Sequence, residues 1–230
     1  FDSSYSLALL NRETALALSQ MGHEVALHST EGPGDFAPSP AFLQANPALA
    51  RLHALVASMS QERADVCSRN LYPPRVEDMR SRLNLLHHYA WEESAFPHEW
   101  ASAFNEHLQG MTCLSTHVRK VMVDQGVCVP MRTSGCGVDH WQRVKADRGR
   151  ACPGRAFRFL HVSSCFPRKG ADVLLRAYGD AFTIADDVTL VIKTFANPHN
   201  EIHTWLADAR RDNPSYPDVV ILEEDMSDGE

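Results

Sequence analysis

The chain is short of several things, and each shortage excludes something. No apolar run approaches the roughly 20 residues that a membrane-spanning helix needs; a peripheral contact with the inner face of a membrane stays compatible with the sequence. Positive charge is scarce: 22 Lys and Arg stand against 29 Asp and Glu, a formal net charge of −7. General nucleic-acid binders draw affinity from cations that neutralise phosphates, so nucleic acid is not an expected partner. None of the six cysteines (Cys67, Cys113, Cys128, Cys136, Cys152, Cys165) forms a CxxC pair. Several lie in apolar, strand-like runs, which points to buried reduced thiols in a cytoplasmic protein rather than a disulfide framework. Among the twelve histidines no HxxxH or HExxH cluster is read as a metal site, and no metal is expected.

What is present is an ordinary globular composition, 44% apolar and 22% charged over 230 residues, enough for one large or two ordinary domains. Apolar spacing predicts a helix over 4–21 closed by Gly22, a strand over 23–28, and a Gly/Pro-rich loop over 31–40. A helical stretch over 46–56, strands over 64–68 and 83–87, a helix within 97–108 and a strand over 111–114 follow. Ser115 is placed to cap a helix that ends at Gly126. A strand over 129–132 precedes a Pro- and Gly-bearing segment, 135–153. Then comes a second series: strand 157–163, helix 169–183, strand 188–193, a helix around 200–212 and strand 219–222. Alternating strands and helices imply parallel sheets, so the fold class is α/β with two Rossmann-like domains. The chain starts at Phe1 rather than Met, and Ser227–Glu230 reads as a helix opening; a fragment of a longer protein is the expectation.

The segment FRFLHVSSCFPRKGADVLLRAY, residues 157–178, carries the most chemistry. Phe159, Leu160, His161 and Val162 read as a buried strand. Arg168, Lys169 and Gly170 then open a helix whose apolar residues are Ala171, Leu174, Leu175 and Tyr178. A helix start offers unpaired N–H groups and partial positive charge. Two cations add to it, and a glycine lets a ligand approach the backbone. α/β proteins hold phosphate this way, although an isolated RKG is equally a basic turn opening a surface helix.

In sequence order, Ala15–Leu18 with Gly22–Val25, Leu114–Ser115 with Val118, Lys120 and Gly126, Gly137–Asp139, and Pro167–Leu175 resemble the retaining glycosyltransferases of family 4, which have the GT-B fold. The resemblance runs through nearly the whole chain and lies in the order and separation of motifs that are individually weak. It implies an acceptor-side Rossmann-like domain over 1–141, a linker over 142–154, and a partial donor-binding domain over 155–230. It also implies transfer of a hexose, with retention, from a nucleotide-sugar donor to a glycan or lipid-linked saccharide acceptor, and no cofactor beyond that donor. Activity would belong to the full-length protein. The family's diphosphate-contacting Lys matches Lys169. The Arg that the family often carries in a Gly-Arg pair is replaced here by Ser163–Ser164, leaving Arg168 as the substitute, and the family's paired glutamates would lie past Glu230.

Ligands of open α/β sheets bind beyond the carboxyl ends of strands. That rule selects Arg69, Asn70, Tyr72 and Arg75 after the strand at 64–68, His88, Tyr89, Trp91, Glu92 and Glu93 after the strand at 83–87, Lys193, and Arg168 with Lys169. Combined with the lobes that the resemblance implies, His87, His88 and Glu92 become catalytic candidates, Arg168, Lys169, Gly170 and Lys193 candidates for the donor phosphate, and Arg69, Arg75 and Trp91 candidates on the acceptor side. Each has a plainer reading. Adjacent strand residues point to opposite faces, so only one of His87 and His88 is expected to face a ligand, and either can be a core histidine. Glu92 and Glu93 can be first-turn acids of the next helix. Lys193 can be a strand-end lysine with its head in water. Arg69 and Arg75 can tie a loop to carboxylates. Tyr89, Trp91, Phe96 and Trp100 can be core packing. Two other functions fit the same features: a GT-B nucleotide-sugar epimerase and a non-catalytic nucleotide-sugar-binding module.

Overall fold

The computed structural model of the chain describes residues 1–3, 5–59, 64–224 and 226. The expected helix opening at Ser227–Glu230 lies outside them. The chain divides into two compact units, Phe1–His140 and Trp141–Glu230. Each is α/β, with a parallel sheet and flanking helices.

The first unit opens with α1 (Ser6–Gln20), which ends as its sequence dictates. Gly22 takes φ +92, a left-handed conformation that costs a glycine least, and the N–H groups of Gly22 and His23 return to Ser19 and Leu18. The expected strand at 23–28 does not form; the backbone there has no ladder. Its polar groups go to a helix instead. Leu27 N–H donates to the Leu52 carbonyl, and His53 Nδ1 meets the Leu27 carbonyl at 2.9 Å. Alternating polarity specifies a strand only where a neighbouring strand accepts the pairing. The expected loop at 31–40 contains a small antiparallel hairpin, β1 (Thr30–Glu31) and β2 (Gly34–Asp35), and runs into α2 (Pro40–Ala45), capped by the Ser39 hydroxyl. α3 (Pro47–Ala54) follows. Phe1, Ala15, Leu27, Leu49 and Leu52 bury one another in a small cluster of their own.

The main sheet of this unit is four parallel strands in order: β3 (Val66–Arg69), β4 (Leu83–Tyr89), β5 (Gly110–Cys113) and β6 (Met131–Thr133). Between them lie α4 (His98–His107) and α5 (Thr116–Asp124). Ser115 caps α5, its hydroxyl accepting from Val118 N–H. The two helices bury Ala101, Phe104, Val118, Val121 and Met122 against Leu86, Met111 and Cys113. Phe104 and Met122 are fully buried, each burial stabilising by roughly 2–3 kcal/mol.

In the second unit, β7 (Phe157–Val162), β8 (Val188–Lys193) and β9 (Asp218–Leu222) form a parallel sheet in that order. α6 (Ala171–Ala181) and α7 (Ile202–Asp212) connect them and share one core with Leu190, Ile192 and Val219. α6 starts two residues later than its apolar spacing predicts. Pro167–Lys169 forms a single 3-10 turn, and Gly170 at φ +66 breaks the helical path. β7 is the larger departure: it forms as predicted but is not buried. The Phe159 ring meets Phe182 and Tyr178 of the helix side at 5.6 and 6.1 Å. Strand alternation therefore turns Leu160 and Val162 to the opposite face, where they are 69% and 66% exposed. Both connecting helices pack on the same core, and among the described residues β7 has a neighbour along one edge only.

Two of the six cysteines, Cys113 and Cys165, are buried and Cys67 is half-buried; Cys128, Cys136 and Cys152 are exposed. All six are free thiols, so the expectation of buried thiols fails for those three, which lie on connecting segments rather than in strands.

Candidate functional site

At the carboxyl end of β4 the ladder slips. Leu86 pairs with Met111, but the next pair is Tyr89 with Cys113. The slip falls at His88, whose φ is +49, a conformation that costs a non-glycine residue about 1–2 kcal/mol. Two side chains hold it there. His88 N–H donates to Thr112 Oγ1 (2.8 Å), and its carbonyl accepts from Asn70 Nδ2 (3.1 Å). The expected strict alternation of His87 and His88 therefore fails: their rings meet edge to face with centroids 5.7 Å apart.

The two imidazoles live in different surroundings. His87 Nδ1 lies 2.8 Å from Ser68 Oγ, and its Nε2 is buried without a hydrogen-bond partner. Burial, aided by charge on His88, pushes the His87 pKa down to about 4. It is neutral at physiological pH, and a base this weak suits packing better than proton transfer. His88 Nδ1 lies 2.8 Å from Ser134 Oγ and 3.1 Å from the Gly135 carbonyl, both just past β6. Ser134 and Thr112 escaped the sequence reading, although both stand at or just beyond strand ends, where the same rule would have found them.

Arg69 and Arg75 are engaged within the chain. Arg69, 7% exposed, donates to Asp78 Oδ1 (2.5 Å) and to the Arg75 carbonyl (2.9 Å). Arg75 pairs with Asp35 (2.9 Å) and Asp78 (3.2 Å) and donates to Thr30 Oγ1. Burial alone would raise the Asp78 carboxyl; the Arg69 hydrogen bond and the two guanidinium charges outweigh it and hold the group below the usual carboxylate range. This network ties the hairpin β1–β2 to the loop after β3, which is what two guanidiniums among four acceptors do best.

Glu92 and Glu93 are exposed and lie before α4, whose first-turn acid is Glu99; the reading of them as helix-start acids does not hold. Trp91 is half-buried, donates Nε1–H to the Ala95 carbonyl, and packs edge to face on Phe96 and Trp100. With Tyr89 these rings belong to the main core of the first unit.

The second unit brings its candidates to one end of its sheet. Val162 and Lys193 are partners in register, so β7 and β8 end side by side. The loop 163–170 leaves one, and the loop 194–201 leaves the other. Asn197 Nδ2 donates to the Ser164 carbonyl (3.0 Å), and the His199 ring meets Phe166 at 5.6 Å, so the two loops are fastened together. Arg168 and Lys169 occupy the 3-10 turn, and Gly170 leads into α6 with no side-chain cap on the helix start. Lys193 Nζ donates to the Thr194 carbonyl (2.7 Å). Asp172 sits in the first turn of α6 and already places one negative charge there. Asn197, His199 and Asn200 were not singled out from the sequence; the Asn200 side chain, which donates to Thr194 Oγ1 and Phe195 O, shapes the second loop.

The sequence does hold one pair of histidines four apart, His199 and His203. They do not share a helix face, since α7 begins at Ile202; His203 lies 3.2 Å from Glu223 instead. Among the described residues no three His, Cys, Asp or Glu side chains cluster as metal ligands would, and no helix is long and apolar enough to cross a membrane. No protein-family model matches the chain, and the search of curated proteins found no match.

Proposed function

We propose that this chain belongs to a retaining glycosyltransferase of GT-B type that moves a hexose from a nucleotide-sugar donor to a glycan or lipid-linked saccharide. The observation that carries this reading is the turn between β7 and α6, where two cations, a left-handed glycine and an uncapped helix start stand at a parallel strand's carboxyl end. Glycosyl transfer from a nucleoside diphosphate builds negative charge on the leaving phosphate, and fixed donors aimed there stabilise it. Lys169 and Arg168 take that role, with the first-turn N–H groups of α6. Lys193, on the neighbouring strand end, is a third cation near the same phosphates. On the acceptor side the reading now rests on His88 and the exposed Glu92; His87, Arg69, Arg75 and Trp91 serve the fold. The activity is placed in the cytoplasm, where nucleotide sugars are made, with contact to the inner membrane face where the acceptor is lipid-linked.

A donor screen on the full-length protein tests the proposal. The expected result is release of nucleoside diphosphate that depends on a saccharide acceptor, with Lys169→Ala lowering kcat/KM by roughly 10²–10³. A changed donor sugar in the absence of acceptor would favour the epimerase. Donor binding with no turnover would favour the binding module.

A further inference from the structure

We propose that Ser134 and Gly135 lock His88 as its Nδ1–H tautomer, so that a neutral His88 presents the lone pair of Nε2 to a hydroxyl group of the ligand. Donors and acceptors around the ring decide the tautomer. Three oxygens crowd together at the ends of β5 and β6: the Cys113 carbonyl, Ser134 Oγ and the Gly135 carbonyl. Ser134 Oγ lies 3.3 Å from each carbonyl and 2.8 Å from His88 Nδ1, and that nitrogen is also 3.1 Å from the Gly135 carbonyl. Carbonyls only accept, and a serine hydroxyl has one proton to give. If Nδ1 were the unprotonated nitrogen, its lone pair would face the Gly135 carbonyl across 3.1 Å with no proton between them. With Nδ1 protonated, the set closes: Nδ1–H donates to Ser134 Oγ and the Gly135 carbonyl, and the Ser134 hydroxyl donates onward to a carbonyl.

The backbone is shaped to make this contact. Gly135 takes φ +68 and His88 φ +49, two left-handed residues facing each other. Thr112 and Asn70 fix the His88 backbone from either side, and the ring is anchored through Nδ1, so both its tautomer and its direction are set by neighbours, as the hydrogen bond on one ring nitrogen sets the other in a metal-bound histidine. Among the described residues no hydrogen-bond partner of Nε2 is found. A neutral imidazole of this tautomer accepts at Nε2 and cannot donate there. It therefore suits a sugar hydroxyl and not a phosphate oxygen. This assignment of ligand chemistry rests on the glycosyltransferase reading; the tautomer does not.

The test is the tautomer itself, read without any ligand. Long-range proton–nitrogen correlation spectra of the ¹⁵N-histidine-labelled chain, recorded above the titration range of histidine, distinguish protonated from unprotonated ring nitrogens, and the His88 signals are those lost in His88→Gln. The expected result is a protonated Nδ1 and an unprotonated Nε2 in the wild-type chain, a mixture in Ser134→Ala, and recovery in Ser134→Thr, with the other histidine signals unmoved. A wild-type His88 in the Nε2–H form, or averaged between forms, overturns the proposal, as does a Ser134→Ala spectrum identical to wild type. Since no sugar is present, such a failure leaves the donor site untouched, and a failed donor screen leaves the tautomer untouched.

Discussion

His87 makes folding stability depend on pH in a stated direction. Its pKa falls from about 6.5 in the unfolded chain to about 4 in the folded one because burial penalises the charged ring. Between those values the unfolded state binds more protons, so stability is full above about pH 6.5 and is lost as the pH falls toward 4. At about 1.4 kcal/mol per pH unit the loss reaches roughly 3 kcal/mol. Urea denaturation at pH 7 and pH 4.5 is expected to show it, and His87→Gln is expected to flatten the difference. Asp78 is the second residue with a sharp prediction. Asp78→Ala leaves the buried Arg69 guanidinium without its carboxylate, which costs about 3 kcal/mol when the stranded charge is buried; a loss under 1 kcal/mol would show the pair to be a surface ornament. At this scale the sequence was legible in position but not in role. His87 and His88 were both marked, yet only the slip at His88 decides that they meet edge to face, and a register slip of this kind leaves no mark in composition or period. The Arg69–Asp78 pairing joins residues nine apart through a loop whose path depends on its surroundings.

At the level of elements, periodicity found the strands and helices that pack on a neighbour. β4, β5 and α5 lie within a residue or two of where the spacing put them, and Ser115 and Gly126 bracket α5 as their types predict. It failed where pairing partners decide. Residues 23–28 have strand-like alternation and no ladder, and the hairpin at Thr30–Asp35 forms inside a segment read as loop. α6 supplies a test in which two effects oppose each other. Gly179 is interior to the helix, where alanine would gain about 1 kcal/mol of propensity. A Cβ there collides with the ring of Tyr216, which is buried and whose hydroxyl donates to the Leu175 carbonyl (2.5 Å). Moving that ring breaks a buried hydrogen bond and opens the core, a cost of roughly 2–3 kcal/mol, so Gly179→Ala is expected to lower the thermal midpoint by a few degrees despite the better helix former. A raised midpoint would mean the ring moves freely.

For the molecule as a whole, the fold class was legible because an α/β chain writes its order in alternation, and two parallel sheets in two compact units are what that order produces. The exposure of β7 was not legible: an apolar run reads the same whether or not a second layer covers it. Parallel sheets are ordinarily covered on both faces, and Leu160 and Val162 leave an apolar face open beside an edge that has no strand partner among the described residues. Such a surface promotes association. Replacing both residues with threonine is expected to lower dye binding and light scattering of the chain while shifting its stability by less than about 1 kcal/mol, since exposed positions contribute little; unfolding of the variant would mean that the face is covered after all. The proposal stands or falls on whether the β7–α6 turn holds the diphosphate of an activated sugar. Calorimetric titration of the chain with nucleoside diphosphates, alongside Lys169→Ala, tests it most directly. The expected result is saturable binding that the variant weakens by about 10²-fold, the worth of one charge-assisted hydrogen bond of 2–3 kcal/mol; equal affinity in the two proteins would remove the turn from the donor site.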